Sequence, residues 1–124
     1  MSVNKPKFNV FKNILYSLNG AKWVLKSETS FKIQLFVILT IGLVLIFINI
    51  STISKLILFF STWLILIAEA FNSAIERVVD LVTKDYHQLA KEAKDIGSFG
   101  VLLTFIFIAS IWGITIYLEL KKAI

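Results

Sequence analysis

Apolar residues recur at helical spacing along residues 8–26. Val10, Phe11, Ile14, Leu15, Leu18, Ala21 and Leu25 form the stripe, and Lys12, Asn13, Asn19, Lys22 and Lys26 lie mostly between them. This predicts an amphipathic helix too polar to span a bilayer, lying in the interface with its lysines towards head groups. Ser27, Glu28, Thr29 and Ser30 break the pattern with capping residues. Residues 33–50 are then almost wholly apolar, and no charge falls between Lys32 and Lys55. Crossing ~30 Å of hydrocarbon takes about 20 residues, so a first span is predicted over 31–50. Asn49, Ser51 and Thr52 make a short turn. A second apolar run, from Leu56 to about Val82, predicts a span over 53–82. Residues 83–88 (TKDYHQ) form a polar connection. A third helix is predicted over 90–119, because 96–118 is uncharged. There Gly97, Gly100, Ala109, Ser110 and Gly113 are small residues that let helices approach closely. The fold class predicted is all-α integral membrane: three transmembrane helices plus an N-terminal amphipathic surface helix, in one domain over 1–124.

Composition supports a membrane setting. Of 124 residues, 57% are hydrophobic, and the mean hydropathy is +0.82. A soluble domain of this size cannot bury so much apolar surface. There is no cysteine, so no disulfide frame and no thiolate chemistry. The one proline, Pro6, precedes the periodic segments, so proline-kinked helices are not expected. The N-terminal stretch does not read as a signal peptide, since lysines and asparagines interrupt any apolar core. No repeat or low-complexity segment is found.

Charge sets the expected orientation. The net charge is +5, and Lys5, Lys7, Lys12, Lys22, Lys26 and Lys32 crowd the first part of the chain. Their neighbours are aliphatic, which suits an anionic membrane surface rather than nucleic acid, so no nucleic-acid partner is expected. The second connection adds Arg77, Lys84, Lys91 and Lys94, against Lys55 in the first turn and Lys121 and Lys122 in the tail. The positive-inside rule then puts the N-terminus and the second connection in the cytoplasm. Glu28, Glu76, His87, Lys94 and Asp95 come to the cytoplasmic interface, with Glu69 about 10 Å deeper than Glu76.

One stretch resists a purely apolar reading. In residues 68–80 (AEAFNSAIERVVD), Glu69, Asn72, Glu76 and Asp80 fall within an arc of roughly 80° on a helix. Ser73 shares that side, while Ala70, Phe71, Ile75, Val78 and Val79 form the opposite face. Carboxylates at membrane depth need a partner, a metal or a proton. No G-x-x-x-x-G-K-[ST], H-R-D or D-F-G motif occurs, and His87 is alone, without zinc spacing. The set Glu28, Glu69, Asn72, Glu76, Lys94 and Asp95 nonetheless matches the needs of phosphoryl transfer. Carboxylates hold Mg²⁺ against phosphate oxygens, a lysine neutralises phosphate charge, and a deeper carboxylate takes the proton of a lipid hydroxyl. Spacing alone leaves two other readings open. One is a small proton-linked carrier, although the outer halves of the spans carry no carboxylate. The other is structural polar packing, with Glu76 and Arg77 as a plain ion pair and Lys91, Glu92, Lys94 and Asp95 as a solvated face.

The residues EAFNSAIERVVD (69–80) and DYHQLAKEAKDIGS (85–98), with YSLNGAKW (16–23), Glu28 and Trp112, resemble the small prokaryotic membrane diacylglycerol kinase family. The resemblance implies a homotrimer with ATP- and Mg²⁺-dependent active sites at the cytoplasmic face of the bacterial inner membrane, between subunits. It implies that diacylglycerol is phosphorylated to phosphatidate. By resemblance, Glu69 is the base on the lipid hydroxyl. Glu76 and Glu28 bind the metal and so the ATP phosphates, and Asn72 supports them. Lys94 contacts phosphate, and Asp95 belongs to the nucleotide site. Asp85, Tyr86 and His87 hold the nucleoside, and Tyr16 contacts the nucleotide from the surface helix. Phe31, Ser98 and Trp112 match positions near the lipid. This chain departs at Asn9, where members often carry arginine, and at Asp85, where glutamate also occurs. Asp80 caps or pairs at its helix end in the plainer reading. Small neighbours give Ser98 a packing role, and a place in the outer half makes Trp112 a lipid-facing anchor. Undecaprenol kinase is the sister branch, and GSFGVLL (97–103) with the Trp112 region favours diacylglycerol.

Overall fold

The structure, a computed structural model, describes residues 9–124. Four helices follow one another: α1 (Val10–Ser27), α2 (Thr29–Phe47), α3 (Thr52–Val82) and α4 (Gln88–Ala123). Among the described residues there is no strand. The expected start of the surface helix at Phe8, together with Lys5 and Lys7, lies outside the described residues. The last three helices are long and apolar enough to cross a membrane.

Local chemistry sets the helix ends. Asn9 caps α1 by accepting from the Lys12 N–H at 3.1 Å, and Ser51 caps α3 by accepting from the Ser54 N–H at 3.2 Å. The break at 27–30 is narrower than its four polar residues suggest. Ser27 still ends α1 and Thr29 opens α2, so only Glu28 is extended, at φ −99° and ψ 109°. Helix α2 stops at Phe47 rather than 50, because Ile48 turns extended ahead of the Ser51 cap. Helix α4 is longer than 90–119, and its last turn carries Lys121 and Lys122, which suit a helix C-terminus.

Helix α3 packs between α2 and α4. Contacts run in antiparallel register. Gly42 of α2 faces Phe59 of α3, and Gly97 of α4 faces Asn72 of α3. At the far end, Glu119 accepts from the hydroxyls of Ser51 (2.9 Å) and Ser54 (2.6 Å) and from Lys122 Nζ (2.9 Å). That cluster ties the end of α4 to the start of α3. The buried core is small: Leu45, Leu58 and a cluster of Ile38, Ile65 and Leu66, the cluster flanked by Phe31, Leu35, Phe59, Val101 and Ile108. Most large apolar side chains stay uncovered, Phe36 at 72% and Leu81 at 86% among them. Exposure on this scale suits lipid contact or a second chain and not water. Helix α1 buries no residue, in keeping with a helix at the surface of the bundle.

Candidate active site

The polar stripe of α3 meets the seam between α2 and α4, and the two neighbours divide it. Glu69 is only 7% exposed. Both of its oxygens are held from α2: Ser30 Oγ donates to Oε1, and Gln34 Nε2 donates to Oε2 at 3.3 Å. A carboxylate in apolar surroundings needs such donors. Asn72 turns towards α4, where its Oδ1 is buried without a partner against Gly97. Its Nδ2 donates to Glu76 Oε1 at 3.0 Å. Asp80 also turns to α4, accepting from Lys94 Nζ at 2.6 Å. Arg77 does not pair with Glu76. Its guanidinium reaches Glu28 Oε1 at 3.0 Å and donates to Ser27 Oγ, which joins α3 to the α1–α2 junction.

The pairs Lys94–Asp80 and Lys91–Asp95 (2.6 Å) are solvent-exposed, and water screens the attraction within such pairs. An anionic ligand therefore competes for Lys94 at little cost. A cavity of about 310 Å³ between the ends of α3 and α4 collects Asp85, Tyr86, His87, Lys94 and Asp95. The connection beside it is ordered by the Asp85 N–H donating to Thr83 Oγ1 at 3.1 Å and by Tyr86 Oη donating to Gln88 Oε1 at 3.0 Å. Five of the residues expected at the nucleotide are thus together. Tyr16, exposed on α1, does not line this cavity, nor do Glu28, Asn72 and Glu76.

A second cavity, of about 510 Å³, is almost wholly apolar and opens between α2, α3 and α4, with Trp112 and Gln34 in its wall. Trp112 Nε1 and Gln34 Oε1 are buried there without partners. Of the other two residues expected near the lipid, Phe31 packs on the core cluster and Ser98 is exposed on α4; neither lines this cavity.

Among the described residues no three His, Cys, Asp or Glu side chains converge as a metal cage. Mg²⁺ seldom uses one. It is held by one or two carboxylates together with water and substrate phosphates. Glu28 and Glu76 suit that pattern, since the hydrogen bonds each receives fall on Oε1 and leave Oε2 available.

Ser30 and Gln34 were not singled out by sequence reasoning. Ser30 stood among the capping residues of the break, although it bonds Glu69 instead. Gln34 had a signal, being the one amide in residues 33–48. Gly97 is tied to the site as well. A Cβ there would stand inside van der Waals contact of Asn72 Oδ1, with Ile75 Cδ1 at 3.6 Å. Asn72 can swing away, and alanine gains about 1 kcal/mol of helix propensity over glycine, so the fold should tolerate the change. Gly97→Ala is accordingly expected to leave thermal unfolding nearly unchanged while turnover falls by up to about 10²-fold through displacement of Asn72. Turnover within twofold of the parent would show that Asn72 needs no fixed position.

A family model described as prokaryotic diacylglycerol kinase matches residues 15–116, a span that contains every candidate residue above from Tyr16 to Trp112. A diacylglycerol kinase of Escherichia coli (strain K12) is 32% identical over 102 residues, covering 82% of this chain and 84% of the relative. One from Haemophilus influenzae is 33% identical over 98 residues, covering 79% and 83%. Another, from Helicobacter pylori (strain J99), is 33% identical over 105 residues, covering 84% and 81%. With the buried carboxylate, the polar connection and the three spanning helices on record, these matches establish that the chain belongs to the prokaryotic diacylglycerol kinase family.

Proposed function

We propose that this protein is an ATP- and Mg²⁺-dependent kinase that phosphorylates 1,2-diacylglycerol to phosphatidic acid at the cytoplasmic face of the bacterial inner membrane. The observation that carries the reading is Glu69, a buried carboxylate with both oxygens held by α2, two turns from Glu76 on α3. Diacylglycerol enters laterally, its chains in apolar surroundings and its hydroxyl at Glu69. ATP enters from the cytoplasm beside Asp85, Tyr86 and His87, with Tyr16 reaching it from the surface helix. Glu69 takes the hydroxyl proton as the lipid oxygen attacks the γ-phosphorus, and the bond from that phosphorus to the β,γ-bridging oxygen breaks, with ADP as the leaving group. Lys94 leaves Asp80 for the phosphates, while Asp95 and Asn72 support the nucleotide and Glu76. Glu28 and Glu76 would hold Mg²⁺, which when bound neutralises charge on the phosphates. The rest of catalysis is positioning. Phe31, Ser98 and Trp112 are the proposed lipid contacts.

A homotrimer with sites shared between subunits is part of this reading. Two features support it. Tyr16, Glu28, Asn72 and Glu76 do not line the nucleotide cavity of their own chain. The uncovered apolar faces also offer area for neighbouring copies. The lysine distribution supports a cytoplasmic N-terminus.

Undecaprenol is the competing acceptor. Purified protein given ATP, Mg²⁺ and each lipid in turn distinguishes the two, with diacylglycerol expected to turn over faster. Faster turnover of undecaprenol would overturn the choice of substrate. Failure to phosphorylate either lipid would favour a proton-linked carrier.

A further inference from the structure

We propose that Ser30, together with Gln34, is a positioning residue that holds Glu69 in the orientation required for proton abstraction. The proposal rests on the reading of Glu69 as the base. Ser30 and Gln34 lie four residues apart on α2, so both project from one face of that helix. They approach Glu69 from the same side, one donor to each oxygen. A glutamate side chain has three free torsions, and these two bonds remove that freedom. A carboxylate offers about four lone-pair sites, so two donors leave room for a lipid hydroxyl to donate as well.

The orientation of Gln34 supports this. Its Oε1 is buried and unpartnered, while its Nε2 donates to Glu69. Turning the amide over would set its oxygen against the carboxylate and leave the carboxylate with one donor fewer. The amide is therefore committed to Glu69 at the expense of its own oxygen. Gln34 also lines the large apolar cavity, so the bond ties Glu69 to a residue of that cavity's wall.

Ser30 differs from most of the helix hydroxyls, and shares with Ser54 of α3 a bond that crosses to another helix. Ser17, Ser27, Thr40, Thr104 and Ser110 each donate to a carbonyl four residues back on the same stretch of helix. Ser30 instead donates across to α3. Two residues before it, Glu28 binds Arg77 of α3. The first turns of α2 thus grip α3 at two levels, that of Arg77 beside Glu76 and that of Glu69. This grip fixes where α2 meets α3, while the separation of Glu69 and Glu76 is set by α3 itself.

The test uses the full-length protein in detergent–lipid micelles, with steady-state kinetics in ATP and in diacylglycerol. Ser30→Ala should lower kcat by about ten- to a hundredfold, with KM for both substrates within twofold. Ser30→Thr, which keeps the hydroxyl, should restore most of kcat. Gln34→Leu should lower kcat in the same way. Glu69→Gln is measured alongside. If it retains full activity, the reading of Glu69 as base fails, and the positioning proposal with it. If it is inactive but Ser30→Ala keeps or raises kcat, only the positioning proposal fails; raised kcat would mean that Ser30 competes with the lipid hydroxyl. Increased KM for diacylglycerol at unchanged kcat would make Ser30 a substrate contact and would also overturn it. So would lost kcat that threonine does not restore, accompanied by a lower unfolding temperature.

Discussion

Glu69→Gln should lower phosphoryl transfer by about 10²–10⁴-fold, the usual contribution of a positioned general base, with the helices still assembled. Glutamine has nearly the same shape but cannot take a proton. Its amide oxygen can still accept from Ser30. Its nitrogen would then face Gln34 Nε2, donor against donor, unless one amide turns. The structural cost of that mismatch is small, because a neutral amide is easier to bury than a charged carboxylate. Thermal unfolding should therefore be unchanged or slightly raised while turnover collapses. The measurement is phosphate transfer to diacylglycerol, set beside a circular-dichroism melt of the same preparation. Full turnover in the glutamine variant would remove Glu69 from the role of base.

Glu76→Gln should act through the metal. Its Oε1 accepts from Asn72 in the parent, and a glutamine oxygen can do the same, so local packing survives. What is lost is one of two anionic groups proposed to hold Mg²⁺. A bound metal contributes several kcal/mol of charge stabilisation, and each 1.36 kcal/mol is a factor of ten in rate. Turnover at fixed Mg²⁺ should fall by about 10²-fold or more, with partial recovery as Mg²⁺ is raised. The two variants should then separate, because added Mg²⁺ rescues Glu76→Gln and has no effect on Glu69→Gln. An unaltered Mg²⁺ dependence with full activity would show that the metal is held elsewhere.

The contrast between those two glutamates was partly legible before any fold was known. Helical spacing put them on one face, two turns apart, and the lysine distribution suggested which would be deeper. Helical spacing left their partners undetermined. Glu76 and Arg77 are adjacent in sequence and looked like a simple pair, yet Arg77 bonds Glu28, 49 residues away in the chain. Asp80 could have been a helix-end cap, and its partner proves to be Lys94 on the next helix. On α4, Lys91 pairs with Asp95 and Gln88 with Glu92, each one turn along the same helix.

The sequence by itself determined the helices, their approximate ends and the membrane setting. Each depends on local quantities: apolar periodicity, the length of uncharged runs and capping side chains. It also carried the family, through residues strung along most of the chain. Only the tertiary structure decided how the stripe on α3 is shared. Glu69 goes to α2 through Ser30 and Gln34, 39 and 35 residues distant, while Asn72 and Asp80 go to α4. The physical reason is that periodicity fixes a direction around one helix axis. Which neighbour stands in that direction, and at what height, depends on how close α2 and α4 can approach α3. Small residues such as Gly42 and Gly97 govern that approach.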